Sequence, residues 1–125
     1  KVKTDDLSVM TFLLKNKIVG EVHLDYFQRP DFKSCKIKGT KGTLYWNSTS
    51  NELKIFSHRT QKWKSLLKIK NFEKNLMYVN EIKYFFNSLK NKHETMNNID
   101  DGINTLQIIL NAKKSSKFGK LVTIE

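Results

Sequence analysis

The stretch from Ile18 to Asn47 constrains the fold more than any other part of the chain, because its apolar residues recur with a period of two. In its first half, from Ile18 to Phe27, the residues of an apolar face alternate with those of a mixed face, which is typical of a half-buried β-strand. Arg29-Pro30-Asp31 then ends the strand, since proline lacks the N–H that a sheet ladder requires. We therefore expect a strand that is followed by a reversal of the chain.

A second alternation runs from Cys35 to Gly39 and resumes at Leu44 and Trp46. The intervening Gly39-Thr40-Lys41-Gly42 has a glycine at each end, and glycine adopts the positive φ that a tight turn requires. This pattern predicts a β-hairpin. On such a strand the single cysteine, Cys35, is expected to be a small buried hydrophobic residue.

Three further segments also predict strands. Leu7 to Leu14 is apolar at positions of both parities, and Asn16-Lys17 suits a two-residue turn into the strand at Ile18. Beyond a polar turn at Ser48 to Asn51, alternation resumes at Leu53, Ile55, Trp63, Ser65, Leu67 and Ile69. The chain therefore predicts about six strands in a largely antiparallel, open sheet.

After Asn75 the spacing of apolar residues changes to three and four, as on an amphipathic helix. The recurring residues are Val79, Ile82, Phe86 and Leu89 in a first helix, and Ile103, Leu106, Ile109 and Leu110 in a second. Asp100 and Asp101 suit the N-terminal end of the second helix, and Gly119 suits its C-terminal end. Leu121 to Ile124 then predicts a short final strand.

Strands followed by helices indicate an α+β fold, in which we expect the two C-terminal helices to pack on one face of the sheet. The 125 residues fit a single domain, residues 1–125. No apolar run is long enough to span a membrane, and the first residues lack the pattern of a secretory signal. We expect a soluble, cytoplasmic chain with no membrane partner.

Lysines dominate the formal charge of +11, since Arg29 and Arg59 are the only arginines. A basic sheet with tyrosine and tryptophan side chains could stack bases. However, the lysines are scattered and lack the planar fork that reads guanine, and no nucleic-acid-binding motif accompanies them. We expect no nucleic-acid partner, and a nucleic-acid-binding sheet stays as an alternative.

The search for reactive groups gives largely negative results. The five glycines permit neither a GxGxxG fingerprint nor a GxxxxGK[ST] loop, and no histidine has a second ligand at metal-binding spacing. His23 and Asp25 share a strand face and could exchange a proton with a ligand, but polar residues on a half-solvated strand are the simpler interpretation. We predict no catalytic, cofactor-binding or metal-binding residue.

Several segments, taken in order, resemble the C-terminal domain of the Gfo/Idh/MocA oxidoreductases, named for glucose-fructose oxidoreductase and inositol dehydrogenase. They are GEVHLDYFQRP, KIKGTKGTLYWN, NLMYVNEIKYFFNSL, DDGINTL and AKKSSKFGKLVTI, and the resemblance extends from about Leu7 to Ile124. It implies a two-domain enzyme that uses NAD or NADP and whose N-terminal Rossmann domain is absent from this chain.

The resemblance does not transfer the family's catalytic residues. The catalytic lysine lies in an E-K-P motif, whereas the nearest tripeptide here is Glu73-Lys74-Asn75. The catalytic histidine lies in an H-x-x-x-D motif on a helix, and His23 with Asp25 differs in spacing and element. Lys74 and His23 therefore do not inherit these roles, and the chain alone is expected to be inactive.

In this family the C-terminal half covers a sugar-like substrate and forms oligomer contacts through its open sheet face. The resemblance thus implies the substrate-binding and oligomerisation domain of a dehydrogenase that acts on a sugar, polyol or nucleotide-sugar. Gln28 and Arg29 are the best candidates for substrate contact, because an amide and a guanidinium suit hydroxyls and a carboxylate or phosphate. Tyr26, Asn75 and Tyr78 are weaker candidates.

Two alternatives stay open. Arg29 could simply cap a turn beside Pro30 and pair with a local acid. The whole chain could also be a free-standing α+β module that binds a ligand or a protein and has no enzymatic activity. A GxGxxG strand-turn-helix encoded upstream of Lys1 would favour the enzyme.

Overall fold

A computed structural model describes residues 5–124 of the chain. These residues form six strands and two helices, which confirms the α+β class. The elements are β1 Leu7–Leu13, β2 Val19–Asp25, β3 Ser34–Gly39, β4 Gly42–Asn47, β5 Glu52–Ser57, β6 Lys62–Lys68, α1 Lys74–Asn91 and α2 Ile99–Phe118. The chain divides after Glu73 into a compact unit of strands and a compact unit of helices.

The strands form two antiparallel sheets, so the prediction of a single six-stranded sheet is wrong. One sheet is the hairpin β1–β2, and the other has the strand order β3-β4-β5-β6. β2 is thus paired with β1 and not with β3. After β2 the chain makes a local turn, in which the Asp25 carboxylate binds the amides of Phe27 and Gln28.

The hairpin β1–β2 has a three-residue loop instead of the predicted two-residue turn. Leu14 N donates to Ile18 O at 2.9 Å, and Lys17 N donates to Leu14 O at 2.9 Å. Lys17 has a left-handed backbone, with φ 65°. A turn that is followed by one left-handed residue is a common three-residue hairpin loop, so Lys17 takes a place where glycine is more usual.

Gly42 is the glycine on which the β3–β4 hairpin depends. Its φ is 157°, and a Cβ atom there would collide with the carbonyl oxygen of Phe56 on β5. Gly39 has no positive φ, and its Cβ would come no closer than 3.9 Å to the oxygen of Gly42. The prediction that both glycines supply a positive φ is therefore correct for Gly42 and wrong for Gly39.

The four-stranded sheet has two chemically different faces. Residues that pair across antiparallel strands point to the same side, so the register assigns each residue to a face. The lysine face carries Lys36, Lys38, Thr43, Tyr45, Lys54, Phe56 and Trp63. The apolar face carries Cys35, Ile37, Leu44, Trp46, Leu53, Ile55 and Leu67, and also Lys62 and Lys64 on the edge strand β6.

A β-bulge on β6 gives the apolar face its last member. Lys54 pairs with Ser65, whereas the adjacent Leu53 pairs with Leu67, so Leu66 is an extra residue on β6. The sequence pattern predicts that Ser65 and Leu67 share a face. The bulge places them on opposite faces and brings Leu67 beside Leu53.

Burial is low throughout the part of the chain that the structure describes. Ser88 is the one fully buried side chain there, and no apolar side chain reaches that level. The inner strands β4 and β5 are half-buried, while the edge strands β3 and β6 are exposed. Cys35 lies on β3 and is exposed, so the expectation that it is buried is wrong. The packing of the helices on a sheet face stays a prediction.

Helix α1 ends in a Schellman motif at Lys92, whose φ is 53°. His93 N donates to Ser88 O at 3.2 Å, and Lys92 N donates to Leu89 O at 3.3 Å. The buried Ser88 hydroxyl lies 3.1 Å from His93 Nε2 and donates to Tyr84 O at 3.0 Å. A polar contact between Ser88 and His93 thus replaces the apolar contact that usually accompanies this motif.

Helix α2 begins and ends with the predicted residue types. Asn98 and Asp101 form a capping box, in which each side chain accepts the backbone N–H of the other. Gly119 is left-handed, with φ 60°, and its N–H donates to Ser115 O. Leu121 to Ile124 has no strand geometry, so the predicted final strand is wrong. A strand needs a hydrogen-bonded neighbour, and the described register of both sheets includes none for these residues.

Replacing Gly42 with alanine should destabilise the chain by about 1 kcal/mol or more, because the new Cβ would meet the Phe56 carbonyl in a backbone conformation that alanine disfavours. Gly39→Ala is the matched control at the other end of the turn, and its effect should stay within about 0.5 kcal/mol. Urea unfolding measures the free energy of unfolding of both variants. Equal effects would show that the backbone of Gly42 does not carry the constraint.

Candidate functional site

Three of the five predicted substrate residues lie together in the β2–β3 loop, which is the segment Tyr26–Lys33. Tyr26 N donates to Asp6 O at 2.9 Å, which extends the pairing of the first hairpin by one step. Tyr26, Gln28 and Arg29 are all exposed, with Tyr26 at 67%. Their side chains are therefore available at the end of β2.

Asp25 organises this loop through its carboxylate. Its Oδ1 accepts hydrogen bonds from Phe27 N at 2.9 Å and from Gln28 N at 2.6 Å. Its Oδ2 accepts from His23 Nε2 at 2.8 Å, and the side chain is only 13% exposed. An aspartate that binds amides two and three residues ahead forms a local turn, so the last residue of β2 sets the direction of the loop.

These contacts lower the pKa of Asp25. The hydrogen bond from the Gln28 amide is the largest cause, and the hydrogen bond from His23 follows. Both stabilise the charged carboxylate relative to the protonated acid, which outweighs the opposing effect of desolvation. Asp25 is therefore a fixed negative charge that is saturated by donors of its own segment.

The Arg29 side chain binds the backbone of its own loop. Its Nη1 donates to Tyr26 O at 2.9 Å and to Gln28 O at 2.8 Å. The alternative in which Arg29 caps a turn is thus correct in its first half. The same alternative also included an ion pair between Arg29 and a local acid. That pair is not formed, because no carboxylate among the described residues is paired with Arg29.

The other two predicted substrate residues belong to the unit of helices. Asn75 and Tyr78 lie in the first turn of α1, which begins at Lys74. Residues three apart on a helix share a face, so the two side chains are neighbours there. Tyr78 is 59% exposed. Asn75 and Tyr78 therefore form a second polar group, distinct in sequence from the β2–β3 loop.

Sequence reasoning missed the role of Asp25, which it treated as a polar residue of a half-solvated strand. The His23–Asp25 contact that it noted is present. The signal that could have identified the role is an aspartate at the last position of a strand, just before a Gln-Arg-Pro segment. Aspartate at such a position commonly accepts from the amides that follow it.

The described residues do not fit a dinucleotide. A dinucleotide fold places its glycines where a strand turns into a helix N-terminus. Here Gly20 lies within β2, Gly39 and Gly42 flank a hairpin turn, and Gly102 and Gly119 lie in and after α2. We derive no chemical step through a nicotinamide from these residues. Across residues 5–124 no three acidic, histidine or cysteine side chains are grouped as a metal site.

A family model for the oxidoreductase family, C-terminal α/β domain, matches residues 1–124 of the chain. The chain belongs to this Gfo/Idh/MocA family. The family is one of oxidoreductases, and the match confirms the resemblance seen in the sequence segments. No curated protein and no solved structure gave a significant match. Neither α1 nor α2 is both long and apolar enough to cross a membrane.

Removal of the Asp25 acceptor should release the loop. In Asp25→Ala the amides of Phe27 and Gln28 lose their partner, so both should exchange with deuterium severalfold faster than in the unmodified chain. Asp25→Asn keeps a neutral acceptor oxygen, so its amide exchange rates should lie between those of Asp25→Ala and the unmodified chain. Amide exchange by NMR measures this. Unchanged exchange in Asp25→Ala would contradict the role given to Asp25.

The pH dependence has a defined sign. Because the pKa of Asp25 is lowered by folding, its stabilising contribution is complete above the pKa of an unfolded aspartate. That contribution is lost as the pH falls through the lower pKa of the folded chain. A ¹³C titration of the Asp25 carboxyl should give a midpoint below that of the same residue in urea. A midpoint at or above the unfolded value would contradict the contacts described.

Proposed function

We propose that this chain is the substrate-binding and oligomerisation domain of an NAD- or NADP-dependent dehydrogenase that acts on a sugar, a polyol or a nucleotide-sugar. The observation that supports the proposal most strongly is the β2–β3 loop, where Gln28 and Arg29 are held by Asp25 and by backbone carbonyls while remaining exposed. Membership of the oxidoreductase family supplies the reaction class. The proposed setting is the cytoplasm.

The chemistry of the loop suits binding rather than catalysis. The Gln28 amide offers a donor and an acceptor to hydroxyls, and the Arg29 guanidinium offers only donors. The Asp25 carboxylate at the end of β2 already accepts three hydrogen bonds, so it is poorly suited to take a proton from a substrate. In the proposal these residues bind and orient the substrate, and NAD or NADP is held by a Rossmann domain outside this chain and accepts or supplies the hydride.

Asn75 and Tyr78, which lie in the unit of helices, are separate candidates for contact with the substrate. Their side chains share one face of the first turn of α1 and can donate to and accept from hydroxyls. An amide and a phenol are hydrogen-bonding groups that suit the hydroxyls of a polyhydroxylated ligand. We propose a supporting role for them because they lie beside Lys74 at the exposed start of the helix.

Oligomerisation through an open sheet face forms the second part of the proposal. The outer face of the β1–β2 hairpin exposes Val9 at 58%, Leu13 at 69% and Val19 at 67%, and Leu13 pairs directly with Val19. Thr11, Glu21 and His23 share this face, so the exposed apolar pair Leu13 and Val19 at its end is the part that a partner would cover. A two-fold contact places the same patch on both copies, and a stable interface covers about 800 Å² of each.

The free-standing binding module is the alternative, and the same loop supports it, since a polar loop binds ligands with or without a cofactor domain. Hydride transfer by the full-length gene product separates the two. Nucleic acid is not part of the proposal, because the lysine face includes no arginine and Lys54 on it is paired with Glu52 at 3.1 Å.

Substrate binding is tested with the labelled chain and neutral probes, glucose and myo-inositol. We expect chemical-shift changes at Tyr26, Gln28 and Arg29, because their donors and acceptors face the solvent at one site. Gln28→Ala should weaken binding about fivefold to tenfold, as expected for the loss of one hydrogen-bonding side chain. Gln107→Ala, an exposed glutamine on α2, is the matched control. Changes spread over the whole chain would contradict a site in the loop.

The oligomer is tested by size exclusion with light scattering. The unmodified chain should have twice the 14.7 kDa mass of one copy at micromolar concentration. Leu13→Lys and Val19→Lys should each give the monomer mass, because two lysines would meet across the two-fold axis without a partner. Thr60→Lys adds the same charge in the β5–β6 loop and should leave the dimer intact. A monomer in the unmodified chain would overturn this part of the proposal.

A further inference from the structure

We infer that Arg29 is the receptor for an anionic group of the ligand, so that the substrate carries a carboxylate or a phosphate in addition to its hydroxyls. This inference rests on the proposed function, since it concerns the same loop. It goes further in naming the charged group that the ligand must present and the side chain that binds it.

The Nη1 donors of Arg29 bind the loop, whereas its Nε and Nη2 donors are left for a ligand. A guanidinium has five N–H donors, of which two belong to Nη1. The two Nη1 donors are taken by the carbonyl oxygens of Tyr26 at 2.9 Å and Gln28 at 2.8 Å. Within residues 5–124 no acceptor is assigned to Nε or Nη2. Nε and Nη2 form the edge that binds a carboxylate through two parallel hydrogen bonds.

The positive charge of Arg29 is not paired with an acid: among the described residues neither Asp25 nor Asp31, the acid two residues further along the loop, forms an ion pair with it. The Asp25 carboxylate is occupied by the Phe27 and Gln28 amides and by His23. The carbonyl groups that hold Nη1 are dipoles and do not neutralise the charge. The loop therefore presents a guanidinium that is held by the backbone and has no paired carboxylate, and a carboxylate or phosphate of a ligand is the complement that it can bind.

Attachment to the backbone makes this arginine different from an ordinary surface arginine. A mobile side chain loses rotamer freedom when it binds a ligand, which opposes binding. The two carbonyl contacts of Arg29 are made within its own loop, so much of that freedom is already lost before the ligand arrives. The formal charge of +11 on the chain also attracts anions towards the loop.

Arg59 provides a natural comparison. It is the other arginine of the chain and lies exposed in the loop between β5 and β6. No hydrogen bond to a backbone carbonyl is assigned to it in the described part of the chain, so its guanidinium lacks the anchoring seen at Arg29. A general attraction of anions to a basic chain would involve both arginines, whereas a built receptor involves Arg29 alone.

The test uses the ¹⁵N-labelled chain with three probes, glucose, glucuronate and glucose 6-phosphate. Because the chain has two arginines, its spectrum contains two Nε–Hε signals, and each reports one guanidinium. We expect glucuronate or glucose 6-phosphate to shift the Arg29 signal and to bind at least about tenfold more tightly than glucose, since charge-assisted bidentate bonds are much stronger than neutral ones. The tighter of the two anions identifies the group.

Variants separate the receptor from general electrostatics. Arg29→Gln should lower the affinity for the anionic probes to that for glucose, and Arg29→Lys should recover only part of it, because lysine keeps the charge and loses the fork. Arg59→Gln removes the same charge and should change little. A loss in Arg59→Gln equal to that in Arg29→Gln would overturn the inference.

The outcomes also separate this inference from the proposed function. If glucose and both anions bind equally tightly at the loop, substrate binding stands and the anionic group is wrong. If no anion shifts the Arg29 signal, the inference is overturned whatever glucose does. If the anions bind at Arg29 and no hydride transfer is found in the full-length gene product, the receptor stands and the dehydrogenase proposal fails.

Discussion

The carboxylate of Asp25 is the group on which the described site depends. Asp25 is the last residue of β2, and its carboxylate binds the amides of Phe27 and Gln28, which sets the local turn into the β2–β3 loop. That turn brings the carbonyls of Tyr26 and Gln28 to the guanidinium of Arg29. One acidic side chain thus orders the turn that carries the donors of the candidate site.

Electrostatics reinforces this arrangement. The lowered pKa of Asp25 arises from the donors of the turn, the Gln28 amide first, so the loop geometry and the charge of Asp25 stabilise each other. Because Asp25 is committed to amides and to His23, it does not neutralise Arg29. Asp31, the other acid of the segment, forms no ion pair with Arg29 either, so the guanidinium is held only by backbone carbonyls among the described residues.

Periodicity and helix signals in the sequence predicted the element types well. The α+β class, the alternation in β2 to β5, the Asp100–Asp101 helix start and the Gly119 stop are all present. Features that depend on exact backbone geometry were not accessible. The three-residue loop requires a left-handed Lys17, which sequence preferences disfavour, and the bulge at Leu66 shifts the register of β6 by a residue without any marker in the alternation.

Prediction of the site was limited for a related reason. Arg-Pro after a strand marked Gln28 and Arg29 as residues at a reversal, and both lie in the β2–β3 loop. The sequence could not show that Asp25 would bind the local amides, or that Arg29 would bind two carbonyls and neither Asp25 nor Asp31, because the choice among nearby partners is a matter of distances. The single sheet and the strand at Leu121 to Ile124 were wrong because pairing between distant segments leaves no local pattern.

The central claim is that the Arg29 guanidinium is fixed by its own loop before any ligand binds. ¹⁵N relaxation of the two arginine Nε–Hε groups in the free chain tests this most directly. The account predicts an order parameter for Arg29 Nε close to the value of about 0.85 typical of rigid backbone, and a value below about 0.6 for Arg59 Nε. Equal, low order parameters for both arginines would contradict it.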